Sequence, residues 1–332
     1  VHELIMNSQD LLDVRVTQMT WCSPSVLAFD LTRTDGGLLP GFAAGAHVSL
    51  HLVVKGDPDR VRAYSLINLD PENDTTEPQP VYRIAVRRDE LGAGGSRHLH
   101  AVVRPGELLR ISRPKNAFQL GDEPRATLLA GGIGVTPIAS MAAQLRRKGA
   151  TFDVCYAVRS CEEAVFLPEL TALCPDNLQV HVDDIAGHYL DVSAVLRSYP
   201  PRPVYVCGPK PMIDTVIAAA AALGWAPDLV RFELFGADPA SAALSGYEVV
   251  LELTGKTLAV RPGQTLLDVL IDQDVDLPYD CRAGFCGLCQ VKVIDGDVAH
   301  HDTCLTDDDR NRRRLMQPCV SHATSSRLVL DL

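Results

Sequence analysis

The chain has 332 residues and a formal net charge of −11, with 46% hydrophobic and 22% charged residues. Those proportions belong to a globular protein of two or three domains, each able to bury its own core. The acidic balance argues against nucleic acid as a partner, because phosphate binding wants a basic surface.

From residue 11 to about 113, short β-branched and apolar runs recur at 13–19, 26–31, 47–54, 62–68, 81–87 and 107–112, with Gly, Pro and Asp clusters between them. Many short strands separated by turn signals predict an antiparallel barrel or sandwich. One helix is expected after Gly94-Gly95-Ser96, and the stretch 70–80, rich in Pro, Glu, Asn and Thr, reads as a loop. From about residue 125 the pattern changes. A strand at 127–130 runs into Gly131-Gly132-Ile133-Gly134-Val135-Thr136-Pro137 and a helix at 138–148. Strands at 152–158, 179–182, 204–207 and 230–234 follow, with helices at 192–198 and 211–223. Strands alternating with helices predict a parallel sheet covered on both faces. After a linker at 237–246 come a hairpin (247–253 with 257–260), a short helix at 265–272, a cysteine-rich loop and a last strand at 327–332. The predicted division is a barrel over 1–115, an α/β domain over 116–236, the linker 237–246, and a C-terminal domain over 247–332.

No apolar run reaches the roughly 18 residues of a membrane span without interruption, and the first residues show no charged start followed by an apolar segment, so neither a span nor a signal peptide is expected. Cys155, Cys161, Cys174 and Cys207 read as reduced, buried small hydrophobes of a cytoplasmic protein.

The strongest chemical signal is C-x4-C-x2-C at Cys281, Cys286 and Cys289, with Cys319 thirty residues further on. That is the plant-type spacing for a [2Fe–2S] cluster, which needs four thiolates. Gly284 and Gly287 suit a tight loop that brings backbone N–H groups toward sulfur. The competing reading is zinc or structural cysteines, but zinc sites pair two short cysteine clips and only one is present. Cys304 lies between the loop and Cys319, so spacing alone offers two candidates for the fourth ligand. His300-His301 invites a Rieske-type reading, yet Rieske ligation replaces two cysteines, and four are available. The acidic stretch 272–280 is either a steering surface for a basic partner or plain solubilising surface.

The turn Gly131–Pro137 feeds a helix N-terminus, which offers free N–H groups and positive dipole to a phosphate. Cys207-Gly208-Pro209 ends a later strand, and ligands of open α/β sheets lie at such ends. Together they point to a nucleotide site; either alone is equally a tight structural turn. In the barrel, Arg62-Ala63-Tyr64-Ser65 offers a cation, an aromatic face and a hydroxyl, although on those residues alone an ordinary strand is the simpler reading.

In order along the chain, Arg62-x-Tyr64-Ser65, Gly131-Gly132-x-Gly134-x-Thr136-Pro137, Cys207-Gly208-Pro209 and the C-x4-C-x2-C…C set resemble the phthalate dioxygenase reductase family, within the ferredoxin–NADP reductase superfamily. The resemblance runs from about residue 11 to the C-terminus. It implies an antiparallel β-barrel that binds FMN, an α/β parallel-sheet domain that binds NADH, and an α+β plant-type ferredoxin (β-grasp) domain holding [2Fe–2S]. Carried over residue by residue, it assigns Arg62, Tyr64, Ser65, Ala85, Val86 and Arg87 to the flavin, and Gly94, Gly95 and Ser96 to its phosphate. Thr136 falls between flavin and nicotinamide, Phe235 over the flavin ring, Arg159 beside the adenosine, and Cys281, Cys286, Cys289 and Cys319 on the cluster. Thr136, Cys207 and Phe235 shape the reacting stack. Arg87 stands where relatives often carry Lys. The function implied is the reductase component of a multicomponent, Rieske-type aromatic oxygenase or O-demethylase involved in aromatic degradation, acting as a cytoplasmic monomer without nucleic-acid or membrane partners. A reductase for a cytochrome P450 or an amine- or carnitine-type oxygenase is the nearest alternative, and an NADH-responsive redox sensor is a different one. NADH is preferred to NADPH because Ser160-Cys161-Glu162-Glu163, after Arg159, is acidic.

Overall fold

The computed structural model describes residues 11–54, 57–90, 94–235, 245–279, 282, 284, 286–302 and 304–332. They form two compact units that divide between Glu233 and Leu234. Most of the expected linker and Cys281 lie outside the described residues.

The first unit begins with β1 (Leu11–Ser23), β2 (Val26–Arg33), β3 (His47–Val54), β4 (Asp57–Ser65), β5 (Tyr82–Arg87), α1 (Gly95–Ala101) and β6 (Leu108–Ser112). The strand order is β4-β3-β6-β1-β2-β5, antiparallel throughout. In β1, Leu12, Val14 and Val16 are buried while Asp13, Arg15 and Thr17 face solvent, the two-residue period of a strand with one wet face. The end strands β4 and β5 lie against each other, and Ile67 N–H donates to Arg83 O across the seam at 2.9 Å. The two ends of the sheet thus approach each other, as the ends of a barrel do. Phe29, Leu50, Tyr82, Ile84, Val86 and Leu99 of α1 fill the interior.

One expected strand is displaced. The apolar run at 62–68 predicts a strand to residue 68, but β4 ends at Ser65. Asn68 N–H instead donates to Ser140 Oγ at 2.8 Å, on a helix of the next layer, and Ser140 Oγ donates to Leu66 O at 2.9 Å. A distant hydroxyl satisfies the backbone there, which local pattern cannot reveal.

That next layer comprises β7 (Arg125–Gly131), α2 (Val135–Arg147), β8 (Thr151–Val158), α3 (Leu167–Leu173), β9 (Leu178–Val182), α4 (Asp183–Ala186), α5 (Val192–Arg197), β10 (Val204–Gly208), α6 (Lys210–Ala222) and β11 (Val230–Leu234). The order is β11-β10-β7-β8-β9, with β10–β7, β7–β8 and β8–β9 parallel. The chain lays down β7, β8 and β9 outward, then returns to place β10 on the other side of β7. The topological switch therefore lies between β7 and β10. α2 starts three residues before the expected 138, because Pro137 falls in its first turn, where an N–H has no helical partner anyway. α2 is buried along most of its length and shares one core with barrel residues Val26, Ala28, Ala44, Ile67 and Ala85. Ala44 N–H also donates to Gln144 Oε1 at 3.0 Å. The helix thus fixes barrel and sheet to each other. Cys155, Cys174 and Cys207 are buried, but Cys161 is exposed at the start of a short 3-10 turn, contrary to expectation.

The second unit contains β12 (Tyr247–Leu251), β13 (Thr257–Val260), α7 (Leu266–Asp272), β14 (Val291–Asp295), β15 (Val298–Ala299), α8 (Asp307–Asn311), β16 (Leu315–Met316), β17 (His322–Ala323) and β18 (Arg327–Leu330). The sheet order is β13-β12-β18-β14-β16, parallel only between β12 and β18. α7 packs its Leu266, Leu267 and Leu270 into the core of this sheet, and Thr265 Oγ1 caps it by accepting from Asp268 N–H at 3.1 Å. A mixed sheet with one helix across it is the β-grasp. No helix among the described residues is long and apolar enough to cross a membrane.

Candidate functional site: a switch-point cleft and a cysteine loop

The first unit brings the glycine turn and the Cys207 segment together at the switch point. Cys207 pairs with Ala130 in the parallel ladder. A Cβ on Gly134 would stand 2.2 Å from Cys207 O, and one on Gly131 would stand 2.8 Å from Pro209 Cδ. These glycines exist so that two strand ends can touch. Gly132 differs: its φ is +54° and a Cβ there would meet nothing within 4 Å, so backbone conformation is the reason for glycine. Thr136 is buried and its Oγ1 donates to Ile133 O at 3.1 Å, closing the turn on itself. Pro137 is buried in the same helix turn, Gly208 is buried, and Pro209 is exposed.

β5 lies against the Gly132–Gly134 turn, so the strand carrying Ala85, Val86 and Arg87 reaches the same place from the barrel. Ala85 and Val86 are buried and Arg87 is exposed. Val86 O accepts from His100 Nε2 at 2.8 Å, which docks α1 on β5. Ser65 is buried, and its hydroxyl has no hydrogen-bond partner within the protein. A buried, unmatched hydroxyl fits a bound polar ligand. Tyr64 is half-buried, and burial pushes its phenol up. Arg62 is half-buried, with Nη1 donating to Val61 O at 2.6 Å. Gly94 caps α1 with a φ of +96°, next to buried Gly95, while Ser96 Oγ accepts from Asp89 N–H at 3.1 Å. Arg159, after β8, is exposed, and its carbonyl accepts from Asp184 N–H at 3.0 Å. The Glu163 carboxylate accepts from Ser25 Oγ at 2.8 and 3.1 Å, so this acid is engaged with the barrel.

Sequence reasoning missed Glu233. It lies on β11, is 3% exposed, and its Oε2 has no partner. Burial pushes its carboxyl up to about 8. It faces Cys207, whose thiol is raised by burial first and by Glu233 second. A carboxyl in the apolar run Phe232-Glu233-Leu234-Phe235 was the available signal. The group holds a proton in the native state where the unfolded chain has lost it. Stability is therefore lost as pH rises from 4.5 to about 8. Glu233→Gln is expected to match the wild type near pH 4 and to exceed it at pH 8–9, by up to roughly 5 kcal/mol in denaturant unfolding. Parallel pH profiles for the two proteins would contradict this. Phe235 directly follows β11 and is 39% exposed.

The second unit holds the cysteine loop. Arg282, Gly284 and Gly287 have φ of +52°, +76° and +74°, in the left-handed region that favours glycine. A Cβ on Gly284 would stand 2.6 Å from Val320 Cγ2 and 3.1 Å from Asp302 Cα. Asp302, whose side chain is fully buried, accepts from Leu305 N–H at 3.1 Å, Arg310 Nη2 at 3.1 Å and Ser321 Oγ at 3.3 Å. It buttresses the Cys319 segment against the loop and is a second residue the sequence did not single out. Arg282 Nη1 meets Asp268 Oδ1 at 3.1 Å, tying the loop to α7. Cys289 and Cys319 are buried and Cys286 is half-buried. A hydrogen bond from Cys319 pulls the Cys289 thiol down, toward the thiolate that iron requires. Cys304 is pushed up to about 12, chiefly by burial, and keeps its proton. Among the described residues no three His, Cys, Asp or Glu side chains converge enough to hold a metal ion. A two-iron cluster needs only two sulfurs on each iron, and paired Cys289 and Cys319 with Cys286 nearby fit that donor set.

Residues 249–324 match the Fer2 family, the 2Fe-2S iron-sulfur cluster binding domain. Toluene-4-sulfonate monooxygenase system reductase subunit TsaB1 of Comamonas testosteroni is 36% identical over 321 residues, covering 96% of this chain and 98% of its own. Phthalate dioxygenase reductase, described as a modular structure for electron transfer from pyridine nucleotides to [2Fe–2S], matches at 33% identity with a TM-score of 0.80 over 98% of both chains. An intact type IV self-sufficient cytochrome P450 monooxygenase matches at 32% identity with a TM-score of 0.70, over 97% of this chain and 41% of its own. An antiparallel barrel, a parallel sheet with its switch point between β7 and β10, and a Fer2 domain in one chain define an electron-transfer oxidoreductase of the flavin and iron–sulfur type. The chain belongs to the phthalate dioxygenase reductase family.

Proposed function

We propose that this chain is the NADH-dependent reductase component of a multicomponent oxygenase, with FMN in the barrel and a Rieske-type aromatic oxygenase or O-demethylase as acceptor. The observation that carries the reading is the meeting of β5 with the Gly132–Gly134 turn at the switch point. It sets a barrel strand against a nucleotide cleft, as hydride transfer between two bound rings requires. A bound flavin supplies the conversion between a two-electron hydride donor and a one-electron cluster.

The protein's part is binding and orientation. Thr136 and Cys207 line the switch point, and the neutral Glu233 acid beside Cys207 can donate a hydrogen bond at pH 7. Arg62, Tyr64 and Ser65 are assigned to the flavin, with Ser65 Oγ lacking any internal partner. Phe235 is assigned to the flavin ring and Arg159 to the adenosine. Cys281, Cys286, Cys289 and Cys319 are assigned to the cluster. FMN is favoured over FAD because Arg62 and the 94–96 turn serve a single phosphate. NADH is favoured because Glu162 is exposed in the segment after Arg159, where a second phosphate charge would be repelled. A monomer suits a transient shuttle, and the cytoplasm is where NADH is supplied.

The test is an anaerobic NADH titration followed by visible absorbance, with acid-released flavin, iron and sulfide assayed alongside. The expected result is FMN, two irons per chain, and bleaching of both chromophores. FAD, zinc, or absorbance indifferent to NADH would overturn it. Arg62→Ala is expected to weaken FMN binding roughly tenfold to a hundredfold, the worth of a charge-assisted hydrogen bond, as read by flavin fluorescence on the reconstituted protein. The likeness to a self-sufficient P450 favours a haem acceptor as the second reading. Rates of cytochrome P450 reduction against Rieske oxygenase reduction, measured with the same reductase, separate the two.

A further inference from the structure

Gln317 is fully buried, two residues before Cys319. Its backbone carbonyl accepts from Val320 N–H at 3.2 Å and Ser321 N–H at 2.9 Å, forming the turn that carries Cys319. Its side chain reaches the other cysteine segment. Cys289 Sγ donates to Gln317 Oε1 at 3.0 Å, and Gln317 Nε2 donates to Gly287 O at 3.5 Å. One buried amide therefore touches a candidate ligand sulfur and spans both ligand segments.

That arrangement suits a thiol. A Cys289 that ligates iron is a thiolate with no proton to give. An amide oxygen facing anionic sulfur would be repelled. A half-turn of the amide exchanges Oε1 and Nε2 and presents N–H to the sulfur. The half-turn gives up a long, weak contact at 3.5 Å to Gly287 O and turns Oε1 toward that carbonyl, a mild repulsion at such a distance, which a charge-assisted N–H to thiolate outweighs. We propose that Gln317 tunes the reduction potential of the cluster through an N–H···S hydrogen bond to Cys289, a role that rests on the reading of Cys289 as a ligand. Donors to ligand sulfur stabilise the more negative, reduced cluster and raise its potential. Glutamine does not titrate, so this contribution is the same at every pH.

The experiment is an EPR-monitored redox titration of the full-length holoprotein, wild type against Gln317→Leu, with iron and acid-labile sulfide assayed on both. Gln317→Leu is expected to keep its cluster, to shift the reduced-cluster g-values, and to become harder to reduce by about tenfold, or ~59 mV for one electron. The shift should be equal at pH 6.5 and 8.5. A loaded Gln317→Leu with the wild-type potential and spectrum overturns the proposal. Should that variant not assemble a cluster, wild-type protein carrying glutamine labelled with 15N at the side-chain amide decides. Pulsed EPR of its reduced cluster must show a 15N coupling, and its absence overturns the proposal. Wild type without iron and sulfide would overturn the ligand reading and this role with it. A loaded cluster indifferent to Gln317 overturns this role alone.

Discussion

Cys319→Ser is expected to lower NADH-driven electron delivery to a protein acceptor by more than about 100-fold, exceeding the 10–100-fold loss typical of an outer-shell partner. NADH-driven reduction of ferricyanide, which needs no cluster, should persist. Cys319 is buried, sits on the turn made by Gln317, and its hydrogen bond is the largest influence lowering the Cys289 thiol. Serine keeps the size but replaces a soft thiolate with a hydroxyl that stays protonated near neutral pH. The segment is braced by Ser321 on Asp302, so the loop cannot readily move to recruit another ligand. Cys304→Ser is the control. Its thiol is raised to about 12 and keeps its proton, so iron content and acceptor rates should stay close to wild type. Equal iron loss in both variants would remove the distinction between Cys319 and Cys304.

Local signals in this sequence are the ones that proved readable. The alternation of Leu12, Val14 and Val16 marks β1, and the strand–helix alternation after residue 125 marks the parallel sheet, because each pattern repeats within one element. The cysteine spacing is equally local. What escaped depends on partners far away in the chain. β4 stops at Ser65, and three residues on it is Ser140, on another layer, that takes the hydrogen bond of Asn68. Gln317 and Asp302 gain meaning only from Cys289 and Ser321, which lie 28 and 19 positions from them. Glu233 is one charge in an apolar strand, and its meaning comes from burial beside Cys207, 26 positions away. The two-residue strands β15, β16 and β17 carry too few residues for any period to show. Cys161 departs for a simpler reason: the strand β8 ends at Val158, and the residues after it turn out into solvent.

The other large effect expected is at Gly134. A Cβ there would lie 2.2 Å from Cys207 O and 2.9 Å from Gly208 N, both backbone atoms of the neighbouring strand end. Flexible side chains can yield to an added methyl, but these atoms are held by the β7–β10 ladder and by a fully buried Cys207. Gly134→Ala must therefore push apart the two loops that form the switch point. Overpacking of this kind costs about 1–3 kcal/mol of stability. The functional cost is larger, because misplacing a bound group by ~1 Å can slow a reaction about 100-fold. NADH oxidation in stopped flow should fall by that order, whereas the iron content of the Fer2 domain, which belongs to the other compact unit, should be unchanged. Gly132→Ala is the matched comparison. Its φ of +54° strains an alanine by about 1–2 kcal/mol, but its Cβ would enter open space, so its NADH kinetics should suffer much less. If Gly134→Ala oxidised NADH at the wild-type rate, the close approach of the two strand ends would be a packing detail, and the switch point would lose its claim to be the nucleotide cleft.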